Sequence, residues 1–125
     1  MNGAAALAWC RTQPGTTEEF PFGPETCVFK VAGRMFAAFP HAEDPERVNL
    51  KCDPHFAEVL RRDHPDVILP GYHMSKRHWN TVRLDAGLPA ELVRDLLEHS
   101  FTLVVDSLPR TVRAELRRAT AQPGT

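Results

Sequence analysis

Apolar and polar residues alternate along this chain with two different periods, and the switches between them mark out its elements. Residues 2–11 (NGAAALAWCR) are alanine-rich, with Leu7 and Trp9 available for burial, and predict a first helix opened by Asn2 and ended by Pro14-Gly15. Thr16 to Thr26 sets prolines and glycines beside Phe20 and Phe22, and reads as an ordered loop whose aromatics pin it to the core. From Cys27 the period becomes two: Cys27, Phe29 and Val31 point one way, Val28 and Lys30 the other. Ala32-Gly33 supplies a tight turn, and Arg34 to Phe39 returns as the second strand of a hairpin. Beyond the polar loop His41 to Pro45, the stretch Arg47 to Cys52 alternates cleanly. Val48, Leu50 and Cys52 are placed inward, and Arg47, Asn49 and Lys51 outward.

Asp53-Pro54 starts a helix for two reasons: the carboxylate caps free backbone donors, and proline has no N–H to lose at the first helical position. Phe56, Val59 and Leu60 form its apolar side, and His64-Pro65 closes it. A short apolar piece, Val67 to Leu69, precedes the turn Pro70-Gly71. His78 to Leu84 then alternates again, with Val82 and Leu84 on one face and Trp79, Thr81 and Arg83 on the other. After Pro89, Leu92, Val93, Leu96 and Leu97 form a helical stripe. Phe101 to Val105 (FTLVV) has strand propensity, yet Phe101, Val104, Val105 and Leu108 keep helical spacing behind Ser100, a good cap, and helix is preferred. Past Pro109, Thr111 to Ala119 predicts an amphipathic helix with Val112, Leu116 and Ala119 inward and Arg113, Arg117 and Arg118 outward. Residues 122–125 read as a frayed tail. The order α-β-β-β-α-β-β-α-α predicts an α+β fold in one domain over residues 1–125: a mostly antiparallel sheet of about five strands with helices packed on one face.

Composition narrows the classes. At 125 residues the chain suits a single hydrophobic core. Its net charge of −1 makes the whole molecule no electrostatic trap for nucleic acid. The halves differ, however: residues 1–59 carry 5 Lys/Arg against 8 Asp/Glu, and residues 60–125 carry 10 against 8, which allows a basic face in the second half. Three cysteines without a CxxC pair imply neither a disulfide framework nor a zinc knuckle, and favour a reducing compartment. No apolar run nears the roughly 20 residues of a membrane helix, and the start lacks the pattern of a secretory leader. The expectation is a cytoplasmic protein without membrane contact.

The densest candidate chemistry lies in Tyr72 to Trp79 (YHMSKRHW), which packs two cations, two imidazoles and two aromatics into a turn-bounded stretch. Lys76 and Arg77 are candidates to hold phosphates, with His73, His78 and Trp79 supporting them. The plainer alternative makes Tyr72 and Trp79 anchors that bury a loop and leaves the cations as a solvated hairpin. Arg110, Arg113, Arg117 and Arg118 form a second basic cluster, for which helix-dipole stabilisation is the competing explanation. Lys51, Arg61 and Arg62 extend either surface if folding brings them together. His73 and His78 lie five apart and His55 and His64 nine apart, which is not the four-residue spacing of a helical metal pair, so no metal is expected. Cys27 and Cys52 fall on inward strand positions, the carboxylate pairs Glu18-Glu19 and Glu43-Asp44 lie in loops, and the glycines are dispersed. Neither a catalytic constellation nor a cofactor is expected.

Several motifs in order resemble the MmcQ/YjbR family over nearly the whole chain. They are Pro21-Phe22-Gly23, Val31 to Phe36 (VAGRMF), Val48 to Pro54 (VNLKCDP), Gly71 to Val82 (GYHMSKRHWNTV), and the later Ser100-Phe101 and Val104. The resemblance implies a CyaY-like fold, a curved antiparallel sheet with helices on one face, and a predicted DNA-binding protein with a double-wing arrangement. It supplies no catalytic residues. The leading expectation is therefore a non-enzymatic protein that contacts the backbone of double-stranded DNA through a basic hairpin. The competing expectations are a protein-interaction or chaperone-like adaptor, and a small-ligand site in the concavity of the sheet near Trp79 and Tyr72.

Overall fold

The first helix begins where its cap is: the Asn2 side chain accepts a hydrogen bond of 2.9 Å from the Ala5 N–H, and α1 spans Gly3–Arg11. In the computed structural model, the described residues are 1–120 for the backbone and 1–118 for side chains, so the tail at 122–125 and the Ala119 side chain lie outside them. The chain continues through β1 (Thr16–Glu19), β2 (Cys27–Val31), β3 (Arg34–Phe39), β4 (Arg47–Lys51), α2 (Pro54–Asp63), β5 (Ile68–Pro70), β6 (Trp79–Arg83), α3 (Ala90–Asp106) and α4 (Arg110–Thr120). The six strands form one sheet in the order β1-β2-β3-β4-β6-β5, with every pairing antiparallel.

The β2–β3 hairpin follows from its turn. Ala32 and Gly33 both have positive φ, +48° and +79°, the pairing a two-residue turn needs to match the twist of its strands. Further along, Phe29 pairs with Ala37 and Lys30 with Met35, so Phe36 is the extra residue of a bulge. The bulge turns Phe36 toward the helices, where its ring meets those of Phe29 and Phe101 at 6.4 and 5.1 Å. Phe29, Phe36, Phe39, Val48, Leu50, Val82 and Ile68 join Leu97, Val93 and Val104 of α3, Ala6 and Cys10 of α1, and Ala57 and Leu60 of α2 in one buried cluster. All of it lies on one face of the sheet.

Four expectations need correction. Thr16–Glu19 is a strand rather than loop: TTEE has no apolar alternation because it is an edge, guarded by charge, paired with β2 and tied to α1 by Arg11 on Glu18. Phe20 and Phe22 do not pin that region to the core; they are 47% and 72% exposed. In α2 the buried positions are Ala57 and Leu60, while Phe56 sits at the rim with its ring edge-on to His99. Ser100 caps nothing. It is fully buried inside the unbroken α3, donating to the Phe36 carbonyl at 2.6 Å and accepting from the Lys51 N–H at 2.9 Å. Strands β3 and β4 share only two residue pairs before they part, and the hydroxyl bridges the gap.

Candidate functional site

The face of the sheet away from the core cluster mixes polar and small apolar residues, several of them covered by loops. In register across it lie Glu19, Val28, Ala38, Asn49, Thr81 and Leu69. Strand alternation adds Lys51 paired with Trp79 on one side of this row, and Arg47 paired with Arg83 on the other. Asn49, expected to point outward, and its strand partner Thr81 are buried at 5% and 3% exposure because the β5–β6 connection folds back over them. Three bonds hold it there: Thr81 Oγ1 donates to Asn49 Oδ1 at 2.6 Å, the Tyr72 N–H donates to Thr81 Oγ1 at 2.9 Å, and Asn49 Nδ2 donates to the Tyr72 carbonyl at 3.4 Å. A polar residue between Val48 and Leu50, in a strand whose other residues suit a pleated face, was the available sign of this role.

The connection is a compact loop of turns. Gly71 opens it against Trp79: a Cβ at Gly71 would sit 2.7 Å from Trp79 Cβ, so no larger residue fits without movement. His73 takes a left-handed φ of +57°, costly for a residue with a Cβ, and its ring lies 4.0 Å from that of Tyr72. The Lys76 ammonium closes the loop onto the Gly71 carbonyl at 3.1 Å, and the Lys76 carbonyl accepts from the guanidinium of Arg61, whose Nε also bonds Asn80 Oδ1. Tyr72, His73, Lys76, Arg77 and His78 are exposed and Trp79 is half-buried, so Tyr72 is no buried anchor. The His78 carbonyl accepts from the Cys52 N–H at 2.8 Å, tying the loop to the end of β4. Folding thus gathers Lys51 and Arg61 to the Lys76-Arg77 block, although Arg61 is spent on holding it.

The second basic cluster stays apart. Gly15 meets Leu116 of α4 beside Val31, which places that helix over the β1–β2 side of the sheet, while β6 and β5 lie at the other side. Arg113 is half-buried rather than outward, with its Nε lacking a partner among the described residues. Acidic residues gather elsewhere: Glu25, Glu43, Asp44 and Glu46 line an open cleft of about 720 Å³ by the β3–β4 loop. Burial pushes the Cys10 and Cys27 thiols up to about 12 and Cys52 up to about 11, so each stays protonated and weakly nucleophilic. No group of three or more His, Cys, Asp or Glu among the described residues is placed to hold a metal ion. No helix among them is long and apolar enough to cross a membrane.

These features define a class: an α+β protein with an open six-stranded antiparallel sheet, helices on one face, and a basic loop over the other. The sequence profile of the YjbR family matches residues 11–103, and the chain belongs to that family. It is 35% identical to the Escherichia coli K12 protein YjbR over 113 residues, 90% of this chain and 95% of that one. To YbdF of Escherichia coli O157:H7 it is 38% identical over 98 residues, covering 78% of this chain and 80% of the other. Among solved structures it resembles a Deinococcus radiodurans protein with a DUF419 domain, at 43% identity and a TM-score of 0.86, over 94% of this chain and 89% of that one. A Pseudomonas syringae protein is similar at 28% identity and a TM-score of 0.69, over 83% and 99%.

Proposed function

We propose that this protein is a non-enzymatic DNA-binding protein that holds the phosphate backbone with Lys51, Lys76 and Arg77, assisted by His73, His78 and Trp79. The observation that carries this reading is the β4–β6 pairing, which sets Lys51 opposite Trp79 beside the exposed Lys76-Arg77 loop. Cations from two distant stretches of sequence meet on a face that no helix covers. Backbone contacts of this kind position a protein on nucleic acid and make its affinity fall steeply with salt. The acidic cleft by the β3–β4 loop repels phosphate and confines binding to the hairpin side. The buried thiols are not poised as nucleophiles, and a bacterial cytoplasm, reducing and rich in nucleic acid, is the setting this reading implies.

The exposed Phe22 and Tyr72 favour a second reading, a module that binds a protein partner through this face. Strand addition is the weaker route to it. Edge strand β5 has three residues and ends in Pro70, and edge strand β1 carries Glu18 and Glu19.

Fluorescence anisotropy of a labelled random duplex, titrated at low and at physiological salt, tests the DNA reading. Lys51→Glu/Arg77→Glu is the informative variant, since Lys76 also closes the loop. Salt-sensitive binding that this variant abolishes is the expected result. No binding at low salt sinks the reading and leaves the partner-binding one.

A further inference from the structure

The open face carries a second feature, which Lys76 and Arg77 do not line. Between the β1–β2 connection and Tyr72 lies a cavity of about 290 Å³, floored by Ala38 and Asn49 and walled by Phe22, Pro40, Tyr72 and Met74. Its two largest walls are rings in solvent, with Phe22 72% and Tyr72 60% exposed. Two aromatic side chains left out of the core around one hollow mark a binding surface rather than packing. Three polar residues, Asn49, Thr26 and His73, complete the lining. Asn49 Nδ2 donates one bond, to the Tyr72 carbonyl, and an amide nitrogen carries two hydrogens, so a second donor remains at the cavity.

We propose that this cavity takes an unpaired nucleobase, so that the open face binds single-stranded nucleic acid. The inference rests on the phosphate-binding reading above and names its substrate more closely. A base offers flat faces to Phe22 and Tyr72 and a carbonyl or ring nitrogen on its edge to the Asn49 amide. Stacking on aromatic rings is tolerant of sequence, as suits a site whose largest walls are rings and whose polar groups are few. In a duplex the bases are sealed between neighbours and reach such a hollow only by leaving the stack. Charge sets the direction of the strand. Lys51, Lys76 and Arg77 lie toward one side of the Asn49–Thr81 row; on the other, the acidic cleft shares the β1–β2 and β3–β4 loops with the cavity and outweighs the Arg47–Arg83 pair, of which Arg83 is already paired with Asp85. Phosphates therefore run along the hairpin side, with bases turned in toward the rings.

The test compares labelled single-stranded DNA, single-stranded RNA and duplex DNA of equal length, with the parent protein and with Phe22→Ala/Tyr72→Ala. Both residues are exposed, so the variant should fold, and its unfolding midpoint confirms this. The expected result is single-strand affinity at least tenfold above duplex, lost tenfold or more in the variant, with the weaker duplex binding changed less than twofold. Preference for RNA over DNA would point to a further contact with the 2′-hydroxyl, and equal affinity to a site that reads only base and phosphate; both support the proposal. Duplex binding equal to or tighter than single-strand binding, or a variant that binds single strands as the parent does, overturns the cavity proposal and leaves the phosphate reading standing. Failure to bind any of the three overturns both.

Discussion

The two faces of this sheet are built from the same strands yet held by different physics. On the helix side, Phe29, Phe36, Phe39 and their neighbours are sealed under α1, α2 and α3, and stability there comes from apolar burial. On the open side a triangle of hydrogen bonds among Asn49, Thr81 and Tyr72 holds a loop that carries its cations and rings in solvent. The first face tolerates no loss of volume. The second can lose exposed side chains while keeping its backbone, so affinity and stability should separate there.

The sharpest way to break the comparison is to truncate one aromatic on each face. Phe36→Ala should cost about 3–5 kcal/mol in urea unfolding, because it empties a fully buried site. Tyr72→Ala should cost less than about 1 kcal/mol, the ordinary cost of a surface substitution. Equal losses would make the open face a second core. Ser100→Ala comes next: it strips the partner from the Lys51 N–H and the Phe36 carbonyl at once, with an expected loss of about 2–3 kcal/mol. A loss below about 0.5 kcal/mol would show that β3 and β4 close directly without the bridge.

On the open face, Thr81→Val keeps the shape and removes the hydroxyl, and should cost about 1–2 kcal/mol. Amide exchange at Tyr72 should quicken while that of Phe29 stays slow; if both respond together, the loop is not a separate unit. The smallest effect concerns β1. A hydrogen bond from Arg11 holds the Glu18 carboxyl below its ordinary value of 4.5, with Arg11 Nε at 2.8 Å. Its contribution is therefore present above that value and lost as pH falls through the lowered one. Both partners are partly exposed, so Glu18→Gln should remove less than about 1 kcal/mol at pH 7 and flatten the acid limb slightly. An unchanged acid limb would show that the pair adds nothing.

How far the sequence carried the fold depended on where each element gets its stability. The α1 and α2 caps, the Ala32-Gly33 turn and the alternation of β2 and β4 are local, and were legible. Strand β1 was not, because its four polar residues become a strand only by pairing with β2. The candidate site divides the same way. The block from His73 to Trp79 stood out as a run of cations and rings, but its neighbours Lys51 and Arg61 are brought there by strand pairing and a tertiary hydrogen bond.

By itself, then, the sequence determined the α1 and α2 caps, the hairpin turn, the antiparallel α+β class and the basic block, since short-range periodicity, capping and turn chemistry act within a few residues. Only the tertiary structure decided that Ser100 bridges two strands, that Asn49 and Thr81 are buried, and that Phe22 and Tyr72 stand in solvent around one cavity. Each of these depends on residues more than twenty positions apart, whose meeting is set by strand order and by where backbone polar groups must find partners.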